Sequence, residues 1–412
     1  MSFFSNVWLD SLPSSPEQRL WTPDYLRGFV VMLGVSLVFI TLMSFMALYA
    51  VQQFRVNETA AGFAASSFVA GGALSRVLIG KYLDFIGRKR TLLITLALFI
   101  LCSVSYPLVG SYALLVLVRI IHGAAFGIAS TTISATVITL IPLGRLSEGL
   151  GYLSLAGTVS NAIGPLAALQ LSERASSVWV FGFTTSCAIV ALLAVLSMQI
   201  QEHTPSQAEY DRRWRIRGSD LLDGRVLPIA VVGLLTSLGF SVVMTYLPAY
   251  LVGLDMVSTA SLFFFIWAFA MLVVRLFAGK LHDRYSENAV IPAALISLIL
   301  GLAMLGLADS LWQFILAAVL GGFGHGAALP SLQAVGISRT TTARIPIATS
   351  THYLALDSGL AIGPVALGFM INLTGFQGLY FAGAGIVCIS LLVYWLAHGR
   401  HTGGRRSHRK LQ

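Results

Sequence analysis

Charge is what this chain has least of: aspartate, glutamate, lysine and arginine supply 10% of its 412 residues, against 56% that are hydrophobic. So little polar surface cannot cover a soluble globule of this length, and the balance points to an integral membrane protein. Cysteine is rarer still. Cys102, Cys187 and Cys388 stand far apart, each inside an apolar run, so they read as small packing residues rather than a disulfide framework. The first 24 residues lack an apolar stretch followed by a small-residue cleavage site. Asp10, Glu17, Arg19 and Asp24 occupy that region with several prolines, and no removed signal peptide is expected. The net charge of +9 would suit nucleic acid, but the lysines and arginines fall mostly in loops between apolar spans, where they govern membrane orientation instead.

What is present is a series of apolar runs of about twenty residues or more, each able at about 1.5 Å per residue to cross a hydrocarbon layer of roughly 30 Å. They are too continuous for the alternating strands of an outer-membrane barrel. Twelve are read, near 28–51, 59–82, 91–109, 112–137, 149–171, 177–199, 227–251, 257–281, 289–307, 311–333, 346–371 and 377–398. The expected fold is an all-α membrane protein, with twelve transmembrane helices in two pseudo-symmetric six-helix bundles, 28–200 and 227–398. A tail over 1–27 precedes them, a polar connection over 201–226 with Arg212, Arg213, Arg215 and Arg217 separates them, and a basic tail over 399–412 follows. With the amino terminus in the cytoplasm, that side collects 21 of the 26 lysines and arginines; Arg55 and Arg174 fall opposite, and Arg76, Arg119 and Arg275 lie within spans. Both termini are therefore expected in the cytoplasm, with the chain in the cell membrane, a bacterial inner membrane by preference.

The halves are related by a fixed shift. Arg76, Gly80 and Asp84 return as Arg275, Gly279 and Asp283, 199 residues on, and the run AIGP at Ala162–Pro165 returns at Ala361–Pro364 by the same shift. HGAA at His122–Ala125 returns at His325–Ala328, displaced by 203. Anchors that recur in one order describe a two-fold repeat of six spans.

GKYLDFIGRKR, Gly80 to Arg90, resembles the loop signature between spans two and three of the major facilitator superfamily. Gly80, Asp84, Gly87, Arg88, Lys89 and Arg90 match, and Phe85 stands where a basic residue is usual. The weaker copy GKLHDR contains Asp283. Gly80, Asp84, Gly87, Arg88 and Asp283 are thus candidates for a conformational latch, in which helix amino termini and arginines hold a carboxylate. RIIHGAAFG, Arg119 to Gly127, resembles the family's fourth-span motif, whose arginine is associated there with proton transfer; His122 replaces a more usual glutamine. His122, one helical face with Arg119, reads either as a titrating group or as a neutral hydrogen bonder, and His325 carries the same two readings. GYLSLAGTVSNAIGPLAA, Gly151 to Ala168, resembles the fifth-span motif of the antiporter branch. Gly151, Gly164 and Pro165 fit, with Gly363 and Pro364 as repeat partners in helix packing, while Ser160 and Ala168 replace expected glycines.

Of the 17 acids, Asp357 alone lies deep within a span; its repeat counterpart is Thr158. An ionised carboxylate there must pair, face water or take a proton. It reads as a proton-coupling residue with Arg119 and His122, or as a structural partner of His352 or an arginine. His325, Asn161 and Asp357 are candidates to line a substrate cavity. Arg76 and Arg275 are expected to snorkel to the nearer interface, and the loop around Gly144, Arg145, Ser147 and Glu148 reads as structural. No phosphate-binding loop exists: Ser75 and Tyr82 stand where glycine and serine or threonine are needed. Neither enzyme activity nor a metal or other cofactor is expected.

The resemblance implies a secondary transporter working by alternating access, exporting a small organic molecule such as a drug, metabolite or metallophore in exchange for protons. LWTPDYLRGF and RLSEGLGY are similar to the group containing opine-metallophore exporters. Proton-linked uptake of a sugar, organic acid or other nutrient is the alternative, because the first span lacks the acid many drug exporters carry; a non-transporting membrane receptor or scaffold is the third reading. The expected partners are a small-molecule substrate, protons and the lipid bilayer, with no nucleic acid, for a chain acting as a monomer.

Overall fold

In the computed structural model, residues 19–56, 58–174, 176–202, 205, 207, 218–284, 286–368 and 370–399 are described. The arginines at 212–217 and the basic tail beyond Gly399 lie outside them. Twelve long helices follow one another: α1 Pro23–Phe54, α2 Glu58–Ile86, α3 Arg88–Ser105, α4 Tyr112–Ile138, α5 Leu146–Arg174, α6 Ser177–Ser197, α7 Leu227–Gly253, α8 Val257–Arg284, α9 Glu287–Leu307, α10 Leu311–Ser338, α11 Ile345–Gly368 and α12 Met370–Tyr394. No strand occurs among the described residues.

Eleven described helical stretches are long and apolar enough to cross a membrane. The one left out is α11, whose Thr349, Ser350, Thr351, His352, Asp357 and Ser358 dilute its hydropathy. Local chemistry sets the ends. Thr22 caps α1 by accepting the Tyr25 N–H, Ser111 caps α4 through Leu114, and Gln313 accepts the amides of Asp309 and Ser310 at the start of α10. Gly375, with φ 70°, interrupts α12 near its start.

The helices alternate in direction. Tyr25 donates to the Gly149 carbonyl and Lys89 to those of Leu196 and Met198, tying ends on the face that carries both basic turns. Tyr49 donates to Tyr106 and Tyr250 to Ala308 on the opposite, distal face. Two apolar cores result, one within α1–α6 and one within α7–α12. Ala334, Ile337, Ile345 and Ala348 of the second half join the first core, all near the basic-face ends of α10 and α11. The hydrogen bonds and ion pairs that join the bundles among the described residues lie in that same basic half, between residues 76–81, 134 and 147–158 on one side and 220, 275–283, 333 and 350–357 on the other. The molecule is therefore closed on the basic face.

Candidate functional site

Two seams close that face, α2 against α11 and α5 against α8, and the repeat shift converts one into the other. Gly80 on α2 meets α11: a Cβ added to it would stand 2.9 Å from Ser350 Cβ and 3.1 Å from Ile347 Cα. Gly279 on α8 meets α5, where a Cβ would stand 2.6 Å from Glu148 Cα. Glycine at both positions lets the bundles touch backbone to backbone.

Deeper in the first seam, Arg76 lies about 15 Å along α2 from its basic-face end and Asp357 about 18 Å along α11 from its own. Asp357 Oδ2 lies 3.0 Å from Arg76 Nε, the arginine side chain 4% exposed and the aspartate side chain 25%. Nε directs its hydrogen at no acceptor, so this is an ion pair by distance rather than an aligned hydrogen bond. Arg76 Nη1 reaches Thr131 Oγ1 at 3.4 Å. The guanidinium lies over the rings of Tyr353 and Phe126, 4.9 and 5.5 Å from their centroids. Ser350 donates to the Arg76 carbonyl, and Tyr353 and Gln333 converge on Ser134 Oγ at 3.1 and 3.2 Å. Arg76 therefore does not snorkel; it is buried and held by a carboxylate on the facing bundle.

The second seam repeats this without the acid. Arg275 donates to the carbonyls of Ser154, at 2.6 Å, and Gly326, at 3.3 Å, and to the Thr158 hydroxyl. Thr158 is the residue that the shift relates to Asp357. Both arginines thus reach for corresponding positions on the facing helix, and only one finds a carboxylate there.

At the surface of the basic face the symmetry breaks differently. Asp283 receives the amides of Ser147 and Glu148, at 3.1 and 2.9 Å, and so caps α5 from the other bundle. Arg145 and Lys280 flank Glu148 at 2.6 and 3.7 Å, which makes the α4–α5 turn a joint between bundles rather than a merely local structure. The shift carries Ser147 onto Pro346, which has no N–H, so the same two-amide cradle cannot be built for Asp84. Asp84 pairs with Arg88 at 3.1 Å within its own half. Gly87, at φ 93°, turns the chain so that Glu202 accepts the amides of Arg88 and Lys89 and caps α3. The connection between bundles is tied down as well. Asp220 meets Lys81 at 3.0 Å, and Asp223 accepts from Thr340 and Arg344 at 2.8 and 2.9 Å.

The family model described as Major Facilitator Superfamily matches residues 28–309 and 257–411. The chain belongs to the major facilitator superfamily. Among curated relatives, the MFS-type transporter Rv1877 of Mycobacterium tuberculosis is 28% identical over 59% of this chain and 34% of its own length, so the chain matches about a third of that relative. Multidrug resistance protein MdtG of Proteus mirabilis is 27% identical over 39% of this chain and 41% of its own. The solved structure of the proton:xylose symporter XylE superposes with a TM-score of 0.72 at 16% identity, covering 91% of this chain and 95% of XylE, a likeness of fold.

Within this family fold the residues singled out from the sequence fall into separate places. Arg119 is fully buried in the first bundle, donating to the carbonyls of Ala64 and Ala65 at 3.0 and 2.8 Å and lying over Phe68. His122 Nδ1 shares a 3.0 Å hydrogen bond with the Tyr106 hydroxyl, and the Phe99 ring is 4.2 Å away. Ala64 and Ala65 lie about 17 Å along α2 from Arg76, so Arg119 and His122 are not gathered with Asp357. His325 stacks on Phe240 inside the second bundle, 3.9 Å between centroids. Asn161 is exposed on α5, one turn beyond Thr158, its amide donating to Gly157. Gly164 faces Ile40 of α1 and Gly363 faces Leu238 of α7, the same joint in each bundle, with the Pro364 carbonyl accepting from Tyr246. Gly151 abuts the Arg275 carbonyl across the seam, and Pro165 is exposed on α5. Thr131, Ser134, Gln333, Ser350 and Tyr353 were missed; the polar runs Ser130–Thr136 and Thr349–His352, unusual in spans, were the signal.

Proposed function

We propose that this chain is a proton-coupled secondary transporter of a small organic molecule, working by alternating access, with Asp357 as the proton site and Arg76 as its switch partner. The observation that carries the reading is the ion pair across the α2–α11 seam, whose aspartate side chain stays partly exposed while the basic face is closed. Protonating Asp357 removes the counter-charge that holds Arg76, loosens the seam and favours opening of the basic face. Asp84, Asp283 and the glycines Gly80 and Gly279 serve as the latch of that face, and the face is cytoplasmic by its lysines and arginines.

The site admits two forms of coupling. Export in exchange for protons is supported by the fifth-span resemblance and by the name of the relative MdtG. Movement of substrate and proton together is supported by the identity of the partner, since a proton on Asp357 releases a guanidinium rather than vacating a place for a cation. In proteoliposomes, Asp357→Asn should abolish accumulation driven by a pH gradient while leaving insertion intact; undiminished uphill transport by that variant removes the proton site. Acid on the side opposite the substrate should speed flux if the two exchange, and acid on the same side if they travel together.

A further inference from the structure

The charges inside the spans do not balance. Among the described residues, three guanidiniums lie deep in the membrane-crossing helices, those of Arg76, Arg119 and Arg275, all buried, against the single carboxylate of Asp357. Arg119 is held by neutral acceptors, the carbonyls of Ala64 and Ala65 and the Met43 sulfur at 3.6 Å. Arg275 is held by two carbonyls and a hydroxyl. Carbonyl dipoles solvate a cation without neutralising it, and in a medium of low dielectric its field reaches well beyond its contacts. His122, His325 and His352, buried in the same spans, can add positive charge or none. The interior is thus positive by two charges with Asp357 ionised and by three with it protonated.

We propose that the molecule carried is an organic anion, whose negative group meets Arg76 once Asp357 has taken up a proton. A cation would enter a positive interior and compete with Arg76 for the one carboxylate; an anion is drawn in and finds a guanidinium that is planar and forked. The walls beside that guanidinium are aromatic. Tyr353 and Phe126 lie under it, and Phe126 stacks on Phe39 of α1 at 4.6 Å, which suits a flat apolar body attached to the charge. Among the described residues, the ionisable groups near Asp357 are Arg76 on α2 and His352 and Tyr353 on its own helix; α4 contributes Phe126 and Thr131, α7 packs on α11 through Gly233, Leu234 and Leu238, and α10 and α12 also pack on α11. The proposal rests on the proton switch above and selects its second form, because anion and proton each favour the other's binding.

The test uses three probes of one size, 1-naphthoate, 1-naphthamide and 1-naphthylmethyl-trimethylammonium, with thermal unfolding of the purified full chain as the readout at neutral and mildly acidic pH. Naphthoate alone should stabilise, more strongly in acid. Asp357→Asn, which cannot drive transport, should bind naphthoate at neutral pH as tightly as the unaltered chain does in acid. Thr158→Asp gives Arg275 the counter-charge that Arg76 has, and should weaken naphthoate binding by about tenfold or more; Arg275→Gln, which also removes one positive charge, should do the same if Thr158→Asp fails to fold. Stabilisation by the cationic probe, by all three equally or by none overturns the proposal, as does unchanged naphthoate binding in a folded Thr158→Asp chain. Selective naphthoate binding with no pH dependence keeps the anionic substrate and removes the proton switch.

Discussion

Arg76 sits beside a carboxylate and Arg275 beside a hydroxyl, and the consequences of that one difference are measurable. Arg76→Gln leaves Asp357 without its cation inside the seam and should destabilise the chain by roughly 3–5 kcal/mol. Adding Asp357→Asn to it should restore most of that loss, since both charges are then gone; unfolding in detergent checks both variants, and an additive result would mean the two residues are not coupled. Asp223, in the connection outside the spans, offers a pH test. Burial raises its pKa, but Arg344, Thr340 and the Arg225 amide outweigh burial and hold its carboxyl below the ordinary range. Its contribution is therefore complete above the ordinary carboxylate pKa and is lost as pH falls through the depressed folded value. Asp223→Asn should lower stability at neutral pH and flatten its acid dependence, read from thermal midpoints across an acid titration. Asp357 was visible in the sequence because an acid inside a span is rare. Its partner was not, because Arg76 is close enough to a charged helix end to read as a snorkelling side chain, and only packing between bundles offers it a carboxylate instead.

Helix ends and helix contacts were partly legible. Thr22, Ser111 and Gly87 act by local rules, through residues a few positions away in the chain. The capping of α5 by Asp283 does not, since its donor and acceptor are 135 residues or more apart. The repeat predicted equivalent roles for Asp84 and Asp283, and Pro346 withholds the amide that equivalence would need. Gly80 and Gly279 are where the seams touch, so Gly279→Val should prevent closure of the basic face. Cysteines introduced on that face should become more reactive to a membrane-impermeant thiol reagent, and unaltered reactivity would show that the contact does not hold the face shut. Gly375 adopts a backbone conformation open almost only to glycine. Gly375→Ala should cost about 1–3 kcal/mol, checked by thermal unfolding.

For the whole molecule, alternation of twelve spans with the basic residues on one side predicts that both chain ends emerge together. Single cysteines placed near residues 19 and 399 should be labelled from the same side of sealed vesicles, and labelling from opposite sides would overturn the topology. Composition, span length and the 199-residue shift were enough to establish a doubled helical membrane protein, because hydrocarbon demands long apolar helices and duplication leaves its register in the chain. They also picked out Asp357, because charge in a span is costly wherever the helix sits. Which face is closed, which arginine meets the acid, and that Arg119 and His122 stay apart from it were decided by tertiary structure alone. Those facts depend on how two bundles face each other, and a span's sequence carries its own polarity but not the identity of the residue that a neighbouring bundle brings against it.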